Sequence, residues 1–189
     1  MAVEPEPAPW LRLSRHRVYE NPWIAVDEDL VELPNGARTI YGVVDCGGCV
    51  GMLPFPDPEH VLLVRQWRYV AGRLTWEMPT GGLHAGETVD QAAQRELAEE
   101  AGVRAGQLVP LTSYSTSKSV VDETAHLFLA LDLTAAAATP DDTEVMQLRT
   151  FTFTDALDMV LSGEIVDSMT IIAILWVAHL GYAAASRMR

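Results

Sequence analysis

Residues 81–103 read GGLHAGETVDQAAQRELAEEAGV, and they predict a glycine-rich turn followed by an amphipathic helix. Thr88 and Gln91 are three residues apart and have the pattern of a capping box. The apolar residues that recur at helical spacing, and should face a core, are Val89, Ala92, Ala93 and Leu97. Gly102 stands where a helix commonly ends in a left-handed residue.

Four carboxylates belong to this stretch. Glu96, Glu99 and Glu100 project from one side of the predicted helix, and Glu87 precedes its first turn. Like charges at this spacing cost about 0.2–0.5 kcal/mol per pair, and the helix dipole disfavours anions near the C-terminal end. Arg95 can pair with Glu99, but one cation does not neutralise four acids. A hard divalent cation such as Mg²⁺ would; the alternative is a solvated acidic face.

Composition limits the classes of function. The length of 189 residues suits one domain with at most a small appendage, and an apolar fraction of 49% supplies a core. Thirteen Lys and Arg against 26 Asp and Glu give a net charge of −13, which argues against nucleic acid or an anionic membrane as partner. With no signal peptide pattern, we expect a cytoplasmic protein.

The two cysteines, Cys46 and Cys49, form a CxxC pattern. A redox role usually requires the first cysteine at a helix N-terminus, where its pKa is lowered. Residues 50–54 look like a strand instead, so we favour two small packing residues, with redox or zinc chemistry as the alternative.

The N-terminal part of the chain has β character. Residues 1–9 are acidic and proline-rich and predict a disordered arm. Strands are expected at 18–23 and 24–33, and a turn at 34–36 leads into a returning strand at 38–44. Such a small β block is marginal alone, so it should pack on the main domain or on a second subunit.

The remaining elements follow from the same signals. Strands are expected at residues 61–70, 108–114, 125–131 and 149–153, with a loop of small residues at 135–142. Thr154 is the predicted N-cap of a helix over 155–162 that Gly163 ends.

The apolar run at residues 168–185 is at the short edge of a membrane span, which needs about 20 residues. It contains His179 and follows Asp167, so we predict a buried C-terminal helix. His179 is then expected in the core or at an interface rather than as a ligand.

The spacing of residues 81–103 resembles the signature of a known protein family. Gly81, five residues, Glu87, seven residues, Arg95-Glu96-Leu97, one residue, Glu99-Glu100, one residue and Gly102-Val103 together match the Nudix box without departure. The Arg65–Arg68 strand, the Glu77–Gly82 stretch and the loop ending in Asp122-Glu123 make the chain similar to the ADP-ribose and nucleoside diphosphate sugar pyrophosphatases.

That resemblance implies an α+β fold, the α/β/α Nudix sandwich with a mixed β-sheet, plus a small β-rich N-terminal subdomain. The subdomain would cover residues 10–45 and serve dimerisation and base binding, and the Nudix domain would cover 46–189. Members of this group are typically homodimers whose N-terminal strands reach across to the partner.

The resemblance also implies an activity, namely hydrolysis of the pyrophosphate bond of a nucleotide sugar with Mg²⁺ or Mn²⁺. ADP-ribose, cleaved to AMP and ribose 5-phosphate, is the first choice of substrate. By matching position, Glu96 and Glu100 would be the principal metal ligands, joined by Glu99 and the carbonyl of Thr80. Glu123 would orient or deprotonate the attacking water.

Further residues are assigned by the same resemblance. Arg95 and Glu99 are counted with Glu123 as catalytic. The residues expected to bind substrate are Arg68 as phosphate clamp with Glu77 beside it, Trp23 and Tyr41 around the base, Arg65, and Lys118. A surface salt bridge for Arg68, packing for the two aromatics and simple solvation for Lys118 and Glu123 are the alternatives.

The loop after the box departs from the group. ADP-ribose hydrolases commonly carry Ser-Pro-Gly-Phe there, whereas residues 117–123 read SKSVVDE. GDP-mannose and other nucleotide sugars therefore stay open as substrates. Two competing hypotheses for the function are a non-catalytic ligand-sensing Nudix module and a hydrolase of damaged nucleotides or dinucleoside polyphosphates.

Overall fold

The computed structural model describes residues 9–136 and 147–181. The chain forms two compact units. The first contains the residues up to Gly47 together with Ser115–Thr124, and the second contains Gly48–Tyr114 and the residues from Ala125 onward. The predicted arm over 1–9 lies outside the described residues except for Pro9, as does most of the predicted loop over 135–142.

The first unit is an antiparallel meander. Strands β1 (Leu11–Glu20), β2 (Ala25–Glu32) and the beginning of β3 (Arg38–Pro54) follow one another, as predicted. The strand expected at 18–23 is wrong in its bounds, since β1 begins at Leu11 and ends at Glu20. It ends there because the side chain of Asn21 accepts hydrogen bonds from the N–H groups of Trp23 and Ile24, which turns the chain.

The remaining elements lie in the second unit, except for the strand ends at Ser115 and at residues 121–124, which belong to the first. These elements are β4 (His60–Arg68), β5 (Arg73–Glu77), β6 (Thr80–Gly82), α1 (Val89–Ala101), β7 (Val103–Ser115), β8 (Val121–Ala135), β9 (Gln147–Thr152), α2 (Phe153–Leu161) and α3 (Ser168–Leu180). Within this unit β8 lies between β3 and β7, and β6 pairs with β3, while β4 is the middle strand of a separate sheet with β5 and β9. The predicted α+β class is confirmed.

Successive side chains of β3 point to opposite faces of the sheet, and the two faces pack against different hydrophobic clusters. Val50 and Met52 pack with the apolar face of α1, and Leu53 packs with the cluster that includes α2 and α3. Cys49 packs against this second cluster, with its Sγ 3.9 Å from the Sδ of Met169. Cys46 and Cys49 form no disulfide within the described part of the chain, and burial raises the pKa of Cys46.

The helix after β9 corrects one expectation. Its N-cap is Thr152 and not Thr154, because the hydroxyl of Thr152 accepts the N–H of Asp155 at 3.0 Å. Likewise β7 starts at Val103 rather than at 108, directly after Gly102 ends α1.

The C-terminal helix α3 buries Met169, Ala173, Ile174 and Val177, as expected of a core helix. His179 is exposed, so it does not lie in the core, and its place at an interface stays a prediction. Among the described residues no helix is both long and apolar enough to cross a membrane. The predicted extension to 185 lies outside them beyond Gly181.

Candidate active site

Helix α1 forms as its sequence predicts. The Thr88 hydroxyl accepts the N–H of Gln91 at 3.3 Å, and the Gln91 side chain accepts the N–H of Thr88 at 2.9 Å, which completes the capping box. Gly102 ends the helix with φ 63° and donates its N–H to the carbonyl of Ala98. The capped helix has one face fixed on the core, so its carboxylates are held at defined positions.

Glu96 and Glu100 lie one turn apart on α1, and each is only 8% exposed. Burial of a carboxylate disfavours its charged form, and it raises the pKa of Glu96 although Arg95 donates to it. Glu100 Oε2 accepts the N–H of Thr80 at 2.9 Å. Both carboxylates are therefore largely buried beside β6, the strand in which the box begins.

Gly81 is the reason that Glu96 fits there. A Cβ atom built at Gly81 would overlap the carboxyl group of Glu96. Only a residue without a side chain lets this carboxyl group lie against β6.

Arg95 forms hydrogen bonds with three of these acids and with the glycine-rich turn. Its guanidinium donates to Glu87 at 3.0 Å, to Glu96 at 2.6 Å, to Glu99 at 3.0 Å and to the carbonyl of Gly82 at 2.9 Å. The hydrogen bonds from Arg95 lower the pKa of Glu87. Arg95 thus ties the glycine-rich loop to α1, and Glu99 is found as its partner.

The donor set suits a hard divalent cation. The groups are carboxylate oxygens, two of them on buried side chains, and Mg²⁺ or Mn²⁺ prefers such ligands. Arg95 binds Glu96 and Glu99, and within the described part of the chain no three His, Cys, Asp or Glu side chains stand together in metal-binding geometry. The chemistry of the residues fits a metal, and a metal bound by Glu96 and Glu99 would compete with Arg95 for their oxygens.

A second cluster lies at the end of β4 and β5. Glu77 is 2% exposed and accepts three hydrogen bonds from Arg68, at 2.6–3.0 Å, and one from the Thr75 hydroxyl at 2.5 Å. Burial alone would lower the pKa of Arg68, but the hydrogen bonds to Glu77 and the charges of Glu77, Glu100 and Asp167 outweigh it and raise that pKa. Arg68 is therefore a permanent cation whose charge interacts with that of Glu100.

Arg65 does not join this cluster. It lies three residues before Arg68 on the same strand, hence on the opposite face, with its Cζ 5.7 Å from the centre of the Trp76 ring. Its Nε is buried and has no hydrogen-bond partner among the described residues.

Thr170 is a residue of this region that the sequence analysis missed. Its hydroxyl donates to Asp167 at 2.6 Å and accepts the N–H of Met78 at 3.0 Å. Asp167 also caps α3 by accepting the N–H of Thr170 at 2.7 Å. An acid three residues before a threonine at a helix start was the available signal, but it indicates only the cap.

The first unit holds the other four predicted residues. Trp23 is 79% exposed, and Tyr41 lies edge-on to Trp10 with ring centres 5.9 Å apart. Lys118 and Tyr41 line a groove of about 260 Å³. Glu123 is half-buried, and its carbonyl accepts the N–H of Thr116. The eight remaining predicted residues, including the whole set on α1, belong to the second unit.

Comparison with known proteins identifies the family of the chain. The sequence model of the NUDIX domain matches residues 47–167, and that of the nucleoside diphosphate sugar hydrolase N-terminal domain matches residues 10–44. An ADP-ribose pyrophosphatase of Bacillus subtilis (strain 168) is 33% identical over 164 residues, which cover 86% of this chain and 89% of the relative. A methanol dehydrogenase activator of Bacillus methanolicus is 31% identical over 164 residues, with the same shares.

The fold has a close likeness among solved structures. The crystal structure of an ADP compounds hydrolase superposes with a TM-score of 0.84 at 21% identity, covering 96% of this chain and 98% of the other. The predicted Nudix sandwich is thereby confirmed. The chain belongs to the Nudix family, as a Nudix hydrolase that also carries the N-terminal domain of the nucleoside diphosphate sugar hydrolases.

Proposed function

We propose that this Nudix pyrophosphatase hydrolyses a nucleoside diphosphate sugar, with ADP-ribose as the first-choice substrate and AMP and ribose 5-phosphate as products. The observation that carries the proposal is a pair of buried carboxylates on α1. Glu96 lies against Gly81 of β6, and Glu100 accepts the N–H of Thr80. The relative from Bacillus subtilis, named an ADP-ribose pyrophosphatase, supports the choice of substrate.

The metal in this proposal is Mg²⁺ or Mn²⁺. Glu96 and Glu100 would be its principal ligands, with Glu99 and the carbonyl of Thr80 in support. A bound cation of this kind neutralises the charge of the pyrophosphate and lowers the pKa of a bound water. A protein with a net charge of −13 needs such a bridge to hold an anionic substrate.

The chain's own side chains have separate tasks in this proposal. Glu123 orients the attacking water or takes its proton. Arg68 binds a phosphate oxygen through Nη1, because among the described residues its Nε and Nη2 donate to Glu77. Trp23 and Tyr41 hold the base by stacking. The position of Arg65 on the other face of β4 lends no support to a substrate role for it.

Oligomeric state and location belong to the proposal as well. We expect a homodimer formed through the N-terminal strands, in the cytoplasm. The exposed apolar side chains Leu11, Leu13 and Val18 on β1 support a partner surface.

A different nucleotide sugar, such as GDP-mannose, is the second candidate. It is favoured by one observation, the loop over 117–123, which carries Lys118 where ADP-ribose hydrolases commonly have Pro-Gly. A lysine offers a cation to a phosphate or sugar without fixing the shape of the loop.

The test is turnover with Mg²⁺ on a substrate panel, with the products detected as phosphate after phosphatase treatment. The panel holds ADP-ribose, ADP-glucose, GDP-mannose, UDP-glucose, NADH and diadenosine polyphosphates; 8-oxo-dGTP is followed by chromatography, because phosphatase attacks it directly. Preference for ADP-ribose is the expected result, and preference for another nucleotide sugar makes the 117–123 loop the specificity element. If the protein binds metal but turns over no substrate of the panel, it would be a ligand-sensing module instead.

A further inference from the structure

We propose that Thr170, oriented by Asp167, is a positioning residue of the candidate metal site. Its hydroxyl holds the segment 77–80 in the place where Thr80 meets Glu100. The inference rests on the proposed function in one respect, since it takes Glu96 and Glu100 as metal ligands.

The segment 77–80 is fixed at each of its four residues. Glu77 is held through its side chain by Arg68, the carbonyl of Pro79 accepts the N–H of Met52 at 3.0 Å, and the N–H of Thr80 reaches Glu100. The N–H of Met78 is held by the Thr170 hydroxyl, across 92 residues of sequence. Helix α3 thereby contacts the backbone midway between the Arg68–Glu77 pair and the acids of α1.

The orientation of the Thr170 hydroxyl is determined by Asp167. A threonine hydroxyl has one proton to donate and two lone pairs to accept with. The proton goes to the carboxylate of Asp167, so a lone pair is left for the N–H of Met78. Thr170 is 0% exposed, and water cannot take over from the hydroxyl without a rearrangement.

Loss of a positioning residue changes metal affinity, whereas loss of a purely structural residue changes only stability. Groups that orient a metal ligand affect metal affinity, typically by 10–100-fold when they are removed. Thr170 acts on Glu100 through only two residues of backbone, from Met78 to Thr80. It also lies beyond residue 167, where the match to the NUDIX domain ends, so the family pattern does not include it.

The experiment compares Mn²⁺ binding to the free protein, measured by electron paramagnetic resonance, in four proteins. They are the wild type, Thr170→Val, Thr170→Ser and Thr152→Ala. Valine keeps the shape of threonine without the hydroxyl, and serine keeps the hydroxyl. Thr152→Ala is the matched control, because it removes a capping hydroxyl from α2, in an element that carries none of the proposed ligands.

We expect Thr170→Val to weaken Mn²⁺ binding by roughly tenfold or more, Thr170→Ser to restore it, and Thr152→Ala to lower the Tm without changing Mn²⁺ affinity. If Thr170→Val unfolds, Thr170→Ala removes the same hydroxyl and is measured in its place. Wild-type affinity in the folded hydroxyl-free variant would overturn the proposal and leave Thr170 a structural residue.

The same measurement separates this inference from the proposed function. A wild-type protein that binds Mn²⁺ but cleaves no nucleotide sugar would contradict the proposed activity, while the comparison of the Thr170 variants would still decide the positioning role. A wild-type protein that binds no Mn²⁺ at millimolar concentration would overturn both.

Discussion

At the residue scale, the acids of the Nudix box differ in their surroundings. Glu87 and Glu99 are paired with Arg95, whereas Glu100 is buried and contacts the backbone of Thr80. An exposed ion pair contributes little, whereas two buried carboxylates one turn apart are stabilised in their charged form by a cation. This difference makes Glu100 the most informative position for substitution.

We expect Glu100→Gln to abolish turnover while the protein stays folded. Loss of a principal metal ligand should exceed the roughly 10–100-fold cost of losing an outer-shell partner. Steady-state kinetics and circular dichroism check the two parts. Asp90→Asn, an acid in the first turn of the same helix, is the control and should keep wild-type rates. Near-native turnover of Glu100→Gln would remove the metal-site assignment.

Two adjacent glycines allow a second matched comparison. A methyl group at Gly81 would displace the carboxyl group of Glu96, while one at Gly82 would meet open space. Because the displaced atoms end a flexible side chain, we expect Gly81→Ala to change the free energy of unfolding by less than about 1 kcal/mol, yet to lower kcat strongly. Gly82→Ala should leave both unchanged. Equal kinetics of the two variants would show that the position of Glu96 is unimportant.

Contacts that depend on local spacing were predictable. The acids of the box, Arg95 and the cap at Thr88 follow from intervals of three, four and eight residues. The contact of Thr170 with Met78 was not predictable, because nothing in the sequence specifies which strand α3 packs against. Arg65 was grouped with Arg68 by proximity in sequence, although a three-residue step along a strand reverses the face.

At the element scale, the hairpin of β1 and β2 depends on charge pairs. Arg15 donates to Asp29 at 2.7 and 2.8 Å, and Arg17 donates to Asp27 at 2.5 Å. These hydrogen bonds lower the pKa of both aspartates below the ordinary value of 3.8. A carboxylate with a lowered pKa stabilises the folded state above its unfolded pKa, and that contribution is lost as the pH falls through the folded value.

We therefore expect the urea midpoint of the wild type to be constant near neutral pH and to fall as the pH drops below about 4. The double variant Asp27→Asn/Asp29→Asn should start lower at pH 7 and fall less on acidification. Glu28→Gln removes the exposed acid between them and serves as control, with a wild-type profile. A double variant that loses as much stability in acid as the wild type would contradict the role of these pairs.

The bounds of an element were predicted more accurately where its own sequence contains caps and a buried face. Helix α1 has a capping box, a buried face and a terminal glycine in one continuous stretch. All ten residues of β1 are exposed, so alternation gave no indication that the strand begins at Leu11. Thr152 and Thr154 are equally good caps in sequence, and only the end of β9 decides between them.

At the scale of the whole molecule, the predicted base-binding residues and Glu123 lie in the first unit, and the acids of α1 lie in the second. We expect Trp23→Ala to raise KM more than it lowers kcat, by roughly fivefold or more, because base–aromatic stacking is worth about 1–3 kcal/mol. The control is Trp67→Ala, which removes another exposed tryptophan, this one from β4. An unchanged KM would assign Trp23 to packing between subunits.

The first unit has a consequence for gene exchange between relatives. It is made from two separate stretches of chain, and the N–H of Val44 donates to the carbonyl of Val120 across them at 2.8 Å. A recombination point after residue 47 would combine one parent's strands with the other parent's segment 115–124, which includes the start of β8. Chimaeras should therefore inherit both stretches from one parent, since this unit does not travel as a single cassette.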